Sequence, residues 1–169
     1  MATTDISSAY KISAGEGIAD LWWKTGRVAI KASGCETGGR FAQVEIDDPL
    51  GTAPPLHIHH GEDETFYVIE GSITVFAGDG RIELDAGDYG FVPRGLAHAY
   101  LVTSASARVL ITFSPSGFED FFVEMGVPVD GAAAPIEGVT PSPEEFARRL
   151  APYGCEIVGP PPTLADLDR

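Results

Sequence analysis

Two short stretches constrain this chain more than anything else in it. The first runs Gly51-Thr-Ala-Pro-Pro-Leu-His57-Ile-His59-His60-Gly-Glu-Asp-Glu64 and closes at Gly71; the second runs from Gly87 through Pro93 and Gly95 to His98. His57 and His59 alternate within one extended segment, so their imidazoles leave the same face of a strand, about 6–7 Å apart. Glu64 opens the next extended segment after the turn from His60 to Asp63 and returns a carboxylate to that face. His98 follows a Pro-x-Gly turn much later in the chain. Three imidazoles and one carboxylate make an N3O set for a single metal ion, with one or two positions open for water, dioxygen or substrate. A fold that serves this set must press together strands that are distant in sequence.

The rest of the chain supplies such strands. Short alternating or β-branched segments follow one another at Leu21–Trp23, Arg27–Lys31, Phe41–Ile46, Leu56–His59, Glu64–Glu70, Ser72–Phe76, Arg81–Leu84, Tyr89–Val92, His98–Val102 and Arg108–Phe113. Thr25-Gly26, the run Asp47 to Gly51, Gly78-Asp79-Gly80 and Asp85 to Asp88 read as the turns between them. Twenty glycines and 13 prolines in 169 residues suit this punctuation. With no helix between the strands, the pattern predicts an all-β, antiparallel sandwich or barrel.

After Ser114-Pro115 the period changes. Phe118, Phe121, Phe122 and Met125 recur at the spacing of one helix face. That face is read as packing on the outside of a sheet in preference to capping the barrel mouth. Residues 126–141, rich in Gly, Ala and Pro, read as a linker. Ser142-Pro143-Glu144-Glu145 opens a second helix, with Ser142 as N-cap, ending near Pro152-Tyr153-Gly154. The tail from Gly159 reads as extended and surface-bound. The division expected is an arm over 1–17, a barrel over 18–116 and a helical extension with tail over 117–169.

A formal charge of −14 and a pI near 4.4 set the chain against phosphate backbones and anionic bilayers, so neither nucleic acid nor membrane is an expected partner. No apolar run approaches the ~20 residues of a membrane span. The first residues lack the basic and apolar regions of a signal peptide. Cys35 and Cys155 stand alone, which fits a reducing cytoplasm and makes both improbable as ligands.

Gly51-x5-His57-x-His59-x4-Glu64-x6-Gly71 resembles the first cupin motif at every defined position, and Gly87-x5-Pro93-x-Gly95-x2-His98 resembles the second. The place where the second motif usually ends in Asn holds Val102, a departure that touches no ligand. The motifs cover residues 51–102, and the strand pattern extends the resemblance to roughly 18–114. It implies a cupin-type antiparallel β-barrel (jelly roll) with the metal inside, here with one or two short C-terminal helices. One motif pair implies a monocupin. Cupins of this size commonly form homodimers, which would also cover Leu21–Trp23 and Val28–Ile30 if these are edge strands.

Within the superfamily the chain looks most similar to bacterial quercetinase-like (quercetin 2,3-dioxygenase-like) cupins. The likeness lies in the run around His57 to Gly71, in Phe113-Ser-Pro-x-Gly-Phe118 and in Tyr153-Gly-x-Glu-Ile-Val-Gly-Pro-Pro. It implies a metal-dependent dioxygenase acting with O2 on a flavonol or another enolisable aromatic or polyketide-like substrate. His57, His59, Glu64 and His98 would hold one divalent ion: Ni, Fe, Mn, Co, Cu or Zn. Glu64 would be both ligand and catalytic base, a dual role found in that group; a purely structural ligand is the alternative. Phe66 and Val68 share the face of Glu64, and Tyr100 that of His98, so these three are expected to line an apolar substrate pocket. His60 reads as a surface or outer residue, and Glu62, Asp63 and Arg94 as solvated turn residues. Two other functions stay open: non-oxidative metal chemistry of the isomerase or cyclase kind, and non-catalytic binding of a small molecule.

Overall fold

The structure is a computed structural model and describes residues 9–130 and 142–168. The expected strands form in order as β1 (Ala19–Trp23), β2 (Gly26–Ala32), β3 (Ala42–Pro49), β4 (Leu56–His59), β5 (Asp63–Glu70), β6 (Ser72–Ala77), β7 (Gly80–Asp85), β8 (Tyr89–Val92), β9 (His98–Val102) and β10 (Ser106–Ser114). Two further strands, β11 (Val127–Pro128) and β12 (Cys155–Gly159), come from the C-terminal segment. One sheet has the order β11-β1-β2-β3-β10-β5-β8 and the other β12-β4-β9-β6-β7, antiparallel throughout. This is the expected all-β jelly roll.

Period-two alternation assembles it. In β3, Ala42, Val44 and Ile46 are buried while Gln43 and Glu45 are half-buried. The facing residues Phe66, Val68, Val75 and Val109 are fully enclosed between the sheets. Each such side chain contributes roughly 1.5–3 kcal/mol by leaving water.

Several local readings are corrected. The run from Asp47 does not turn at once, because β3 continues to Pro49, which stands opposite Ser106 of β10. Asp48 is thereby carried inward and is only 7 % exposed. Neither Leu21–Trp23 nor Val28–Ile30 is an edge: β11 pairs with Leu21 and Trp22, and β2 lies between β1 and β3. The outermost strands among the described residues are β11, β8, β12 and β7. A short helix, α1 (Gly34–Thr37), interrupts the stretch read as strands, and its capping box of Ser33 and Glu36 was visible in the sequence.

The C-terminal segment is woven into both sheets. Before β11 comes α2 (Glu119–Met125), and before β12 comes α3 (Pro143–Leu150). Ser142 caps α3, its Oγ accepting from the Glu145 amide at 3.2 Å. A 3-10 turn over Ala151–Tyr153 ends at Gly154 in the left-handed region. The tail is not wholly extended; Leu164–Asp168 is a 3-10 helix, and Arg81 donates to the Leu167 carbonyl at 2.7 Å. Most of the expected linker, 131–141, and the start of the arm, 1–8, lie outside the described residues. Among those described, no helix is long and apolar enough to cross a membrane.

Candidate metal centre

His57 and His59 are the two inward residues of β4, and His98 stands directly opposite His57 on β9. Glu64 comes from β5, in the other sheet. The four side chains therefore meet where the two sheets face each other. All are buried, and one ligand atom from each lies within 4.8 Å of the others. The second motif also braces the first: the Gly95 amide donates to the His59 carbonyl at 2.8 Å. Gly95 has φ 80°, a conformation that glycine adopts without steric cost.

The hydrogen bonds orient the donors. His57 Nδ1 lies 2.7 Å from the Pro55 carbonyl, and His98 Nδ1 lies 2.9 Å from the Leu96 carbonyl. Each Nδ1–H donates outward, so each Nε2 faces the cluster, the arrangement metal-binding histidines use. His98 Nε2 is 2.7 Å from Glu64 Oε2, and His59 Nε2 is 3.5 Å from the same oxygen. His59 Nδ1 lies 3.6 Å from Glu62 Oε2. Both ring nitrogens of His59, and that Glu62 oxygen, are buried without a hydrogen-bond partner. Orphans of this kind cost about 1–3 kcal/mol each. A divalent cation accepting the His59 Nε2 lone pair would satisfy one of them, and the resulting Nδ1–H would point at Glu62. The donor set fits a metal in number, type and spacing.

The electrostatics suit the same occupant. Burial pushes the Glu64 carboxyl up, but the hydrogen bond from His98 and the charges of His98, His59 and His57 outweigh it and hold it at about 2. Burial, with the charge of His98, lowers His57 to about 4, so its imidazole is neutral at pH 7. Burial lowers His98, yet its contacts with Glu64 raise it further, for a net rise.

A cavity open to solvent lies beside the cluster, lined by residues of both sheets and of the C-terminal segment. Its walls are mostly aromatic and aliphatic, the character expected of a small-molecule site. Phe118 stands edge-on to His59 with ring centroids 4.3 Å apart and touches Phe113 and Phe121. Phe121 and Phe146 both pack on Trp23. Lys24, over the rings of Trp23 and Phe146, is the exposed member of the lining and marks the mouth.

The structure brings His57, His59, Glu64 and His98 together as the sequence reading places them. Tyr100 lines the cavity. Phe66 and Val68 do share the inward face of Glu64, but both are sealed in the core between the sheets and are not lining residues. The reading of the Phe118 to Met125 face as outer packing is overturned. Phe118, Phe121 and Phe122 line the cavity, because the buried Glu119 carboxylate takes the Gly34 and Gly117 amides at 2.7 and 2.6 Å and anchors α2 over the opening. Glu62 is not solvated but buried against His59. Asp63 and Arg94 form an exposed ion pair at 2.9 Å, and exposed His60 meets Glu156 at 2.9 Å. Sequence reasoning missed Asp48, whose carboxylate takes the Tyr100 hydroxyl at 2.8 Å in the cavity wall. It also missed Cys155, which stands directly opposite His59 where β12 pairs with β4. Burial, with the charges of Glu64 and Glu62, lifts that thiol to about 12 and keeps it protonated.

Residues 44–113 match the family model described as a cupin domain, a span containing all four clustered residues. The chain is 33 % identical over 108 residues to quercetin 2,3-dioxygenase of Bacillus subtilis (strain 168), covering 64 % of this chain and 32 % of that protein. It is 36 % identical over 84 residues to quercetin 2,3-dioxygenase of Aspergillus japonicus, covering 47 % and 23 %. The matches thus span a third or less of the length of these two relatives. Among solved structures, an RmlC-like cupin from Shewanella frigidimarina superposes with TM-score 0.53 at 22 % identity, over 68 % of this chain and 96 % of that one. KdgF from Halomonas sp. superposes with TM-score 0.52 at 20 % identity, over 58 % and 87 %.

Proposed function

Because the chain belongs to the cupin superfamily, we propose that it is a metal-dependent oxidoreductase of the quercetinase-like kind. In this reading it is a dioxygenase that binds a flavonol or another enolisable aromatic in the cavity. The observation that carries it is the closed, buried group of His57, His59, Glu64 and His98 set in an aromatic pocket. Its likeness to two quercetin 2,3-dioxygenases supports the choice of reaction class.

The chain's own residues have defined parts. His57 and His98 present Nε2 because backbone carbonyls hold their Nδ1–H. Glu64 is ionised at neutral pH. That is the state needed both to bind a cation and to accept the proton of a substrate hydroxyl at its carboxylate. Phe113, Phe118 and Trp23 offer ring faces and edges to a flat substrate and keep water from it. A divalent transition metal in the N3O set would polarise a substrate oxygen and hold the electron-rich anion beside dioxygen.

The test is metal content of protein purified without added metal, followed by oxygen uptake with flavonols, beside a His57→Ala/His98→Ala control. About one Ni, Fe, Mn, Co or Cu per chain, absent from the control, together with substrate-dependent oxygen consumption, is the expected result. Firmly held zinc without oxygen uptake would move the chain to Lewis-acid isomerase or cyclase chemistry. No metal, even on titration, would overturn the enzymatic reading and leave a binding barrel.

A further inference from the structure

Tyr100 is the next inward residue after His98 on β9, about 6–7 Å further along the strand. Both reach across to the other sheet. His98 meets Glu64 of β5, and Tyr100 meets Asp48 of β3. The wall of the cavity therefore carries a second polar junction beside the candidate metal centre. Asp48 Oδ2 is occupied by the Tyr100 hydroxyl at 2.8 Å, while no donor among the described residues reaches Oδ1. Nor is Oδ1 sealed away as Glu62 Oε2 is. It lies against Gly26, where any Cβ would collide with it. The glycine leaves the space that this carboxylate occupies. The same cavity is lined by the apolar Val28, Ile46, Ile111 and the ring of Trp23. A carboxylate oxygen in such a wall, without a donor, is an acceptor waiting for one.

We propose that Asp48 is a recognition group of the cavity, accepting a hydrogen bond from a hydroxyl of an aromatic ligand that is remote from the oxygen placed at the histidine cluster. The proposal rests on the reading of the substrate as a hydroxylated aromatic. A charged acceptor in a low-dielectric wall distinguishes an O–H from a C–H at the same position, because the analogue without the hydroxyl leaves a desolvated carboxylate unpaired. Tyr100 acts here as a positioning residue, fixing the other carboxylate oxygen. Lys24, whose charge acts on Asp48, stands where the cavity meets solvent.

The experiment uses metal-loaded protein under anaerobic conditions, so that ligand binds without turnover, read by quenching of the cavity tryptophan, Trp23. Two flavonols identical except for one 4′-hydroxyl serve as probes. Wild type is expected to bind the hydroxylated probe about tenfold more tightly or better. Asp48→Asn, which keeps an acceptor for Tyr100, is expected to reduce that preference to less than about twofold. Tyr100→Phe removes the bond between the sheets but leaves the carboxylate, and is expected to retain most of the preference. A preference unchanged in Asp48→Asn, absent from wild type, or lost equally in Tyr100→Phe overturns the role of Asp48 and leaves the proposed function standing. If neither flavonol binds wild type, the substrate class itself fails, and the recognition role with it.

Discussion

Replacing Asp48 with Asn removes a carboxyl that burial lifts from 3.8 to about 6, opposed by the Tyr100 hydrogen bond, reinforced by Asp47 and opposed again by Lys24. Its folded-state pKa is raised, so the folded protein holds this proton more tightly than the unfolded chain does. The stabilisation is complete below pH 3.8 and is lost as pH rises through about 6. A rise from 3.8 to about 6 corresponds to about 3 kcal/mol in all. About 1 kcal/mol of it has already gone by pH 4.5, and the remaining ~2 kcal/mol disappears by pH 7.5. Asn does not titrate. Between those two pH values the stability of Asp48→Asn relative to wild type should therefore improve by about 2 kcal/mol, on top of any constant offset from the altered Tyr100 contact. Urea unfolding of both proteins after treatment with a chelator, followed by the fluorescence of Trp22 and Trp23, measures this at each pH. A difference constant to within about 0.5 kcal/mol would refute the claim that the carboxylate is held ionised in an apolar wall.

Three further outcomes follow from the same geometry. Glu62→Gln should weaken metal binding about 10- to 100-fold in a chelator competition, because it removes the carboxylate facing His59 Nδ1; unchanged affinity would show that His59 needs no such partner. Phe118→Ala should cost about 3–5 kcal/mol in chemical denaturation, since the ring is 6 % exposed and packs on His59, Phe113, Phe121 and Phe122; a loss below about 1 kcal/mol would mean the wall collapses freely around the gap. Gly71→Ala should lower stability by more than about 1 kcal/mol, because φ is 76° there and the new methyl would meet the Ser106 carbonyl; a neutral result would show that the turn can relax.

The candidate metal ligands were legible because their signal is local. His57 and His59 need only the two-residue period of a strand, and the turns before Glu64 and His98 are written in Gly and Pro. The same alternation located β3 and β10. Asp48 looked like a turn residue because Asp47-Asp48-Pro49 has turn composition, and only pairing with β10 carries the strand onward to bury it. Glu62 is two residues from Glu64 and belongs by composition to the turn; it is buried because the fold sets it against His59, 3.6 Å away, and beside Gly117. The aromatic face of α2 showed a helix plainly enough. Its destination depended on Glu119 reaching the Gly34 amide, a contact between residues 85 positions apart. β12 was missed because its partner, β4, lies nearly a hundred residues earlier. For α1 the signal is the capping box of Ser33 and Glu36, and its single turn is too short to show a helical period.

All four candidate ligands fall inside residues 44–113, the span that matches the domain model, whereas much of the cavity wall does not. Trp23 and Lys24 come from the chain before that span, and Phe118, Phe121, Phe146 and Cys155 from the chain after it. The candidate ligands and the proposed hydroxyl acceptor Asp48 thus share one stretch of the chain, while much of the aromatic wall around them comes from the two that flank it. Substitutions in the flanks can reshape what enters without disturbing the atoms that would react with it. A relative that shares only the central span can be expected to share the four clustered side chains, but not the walls that decide what reaches them.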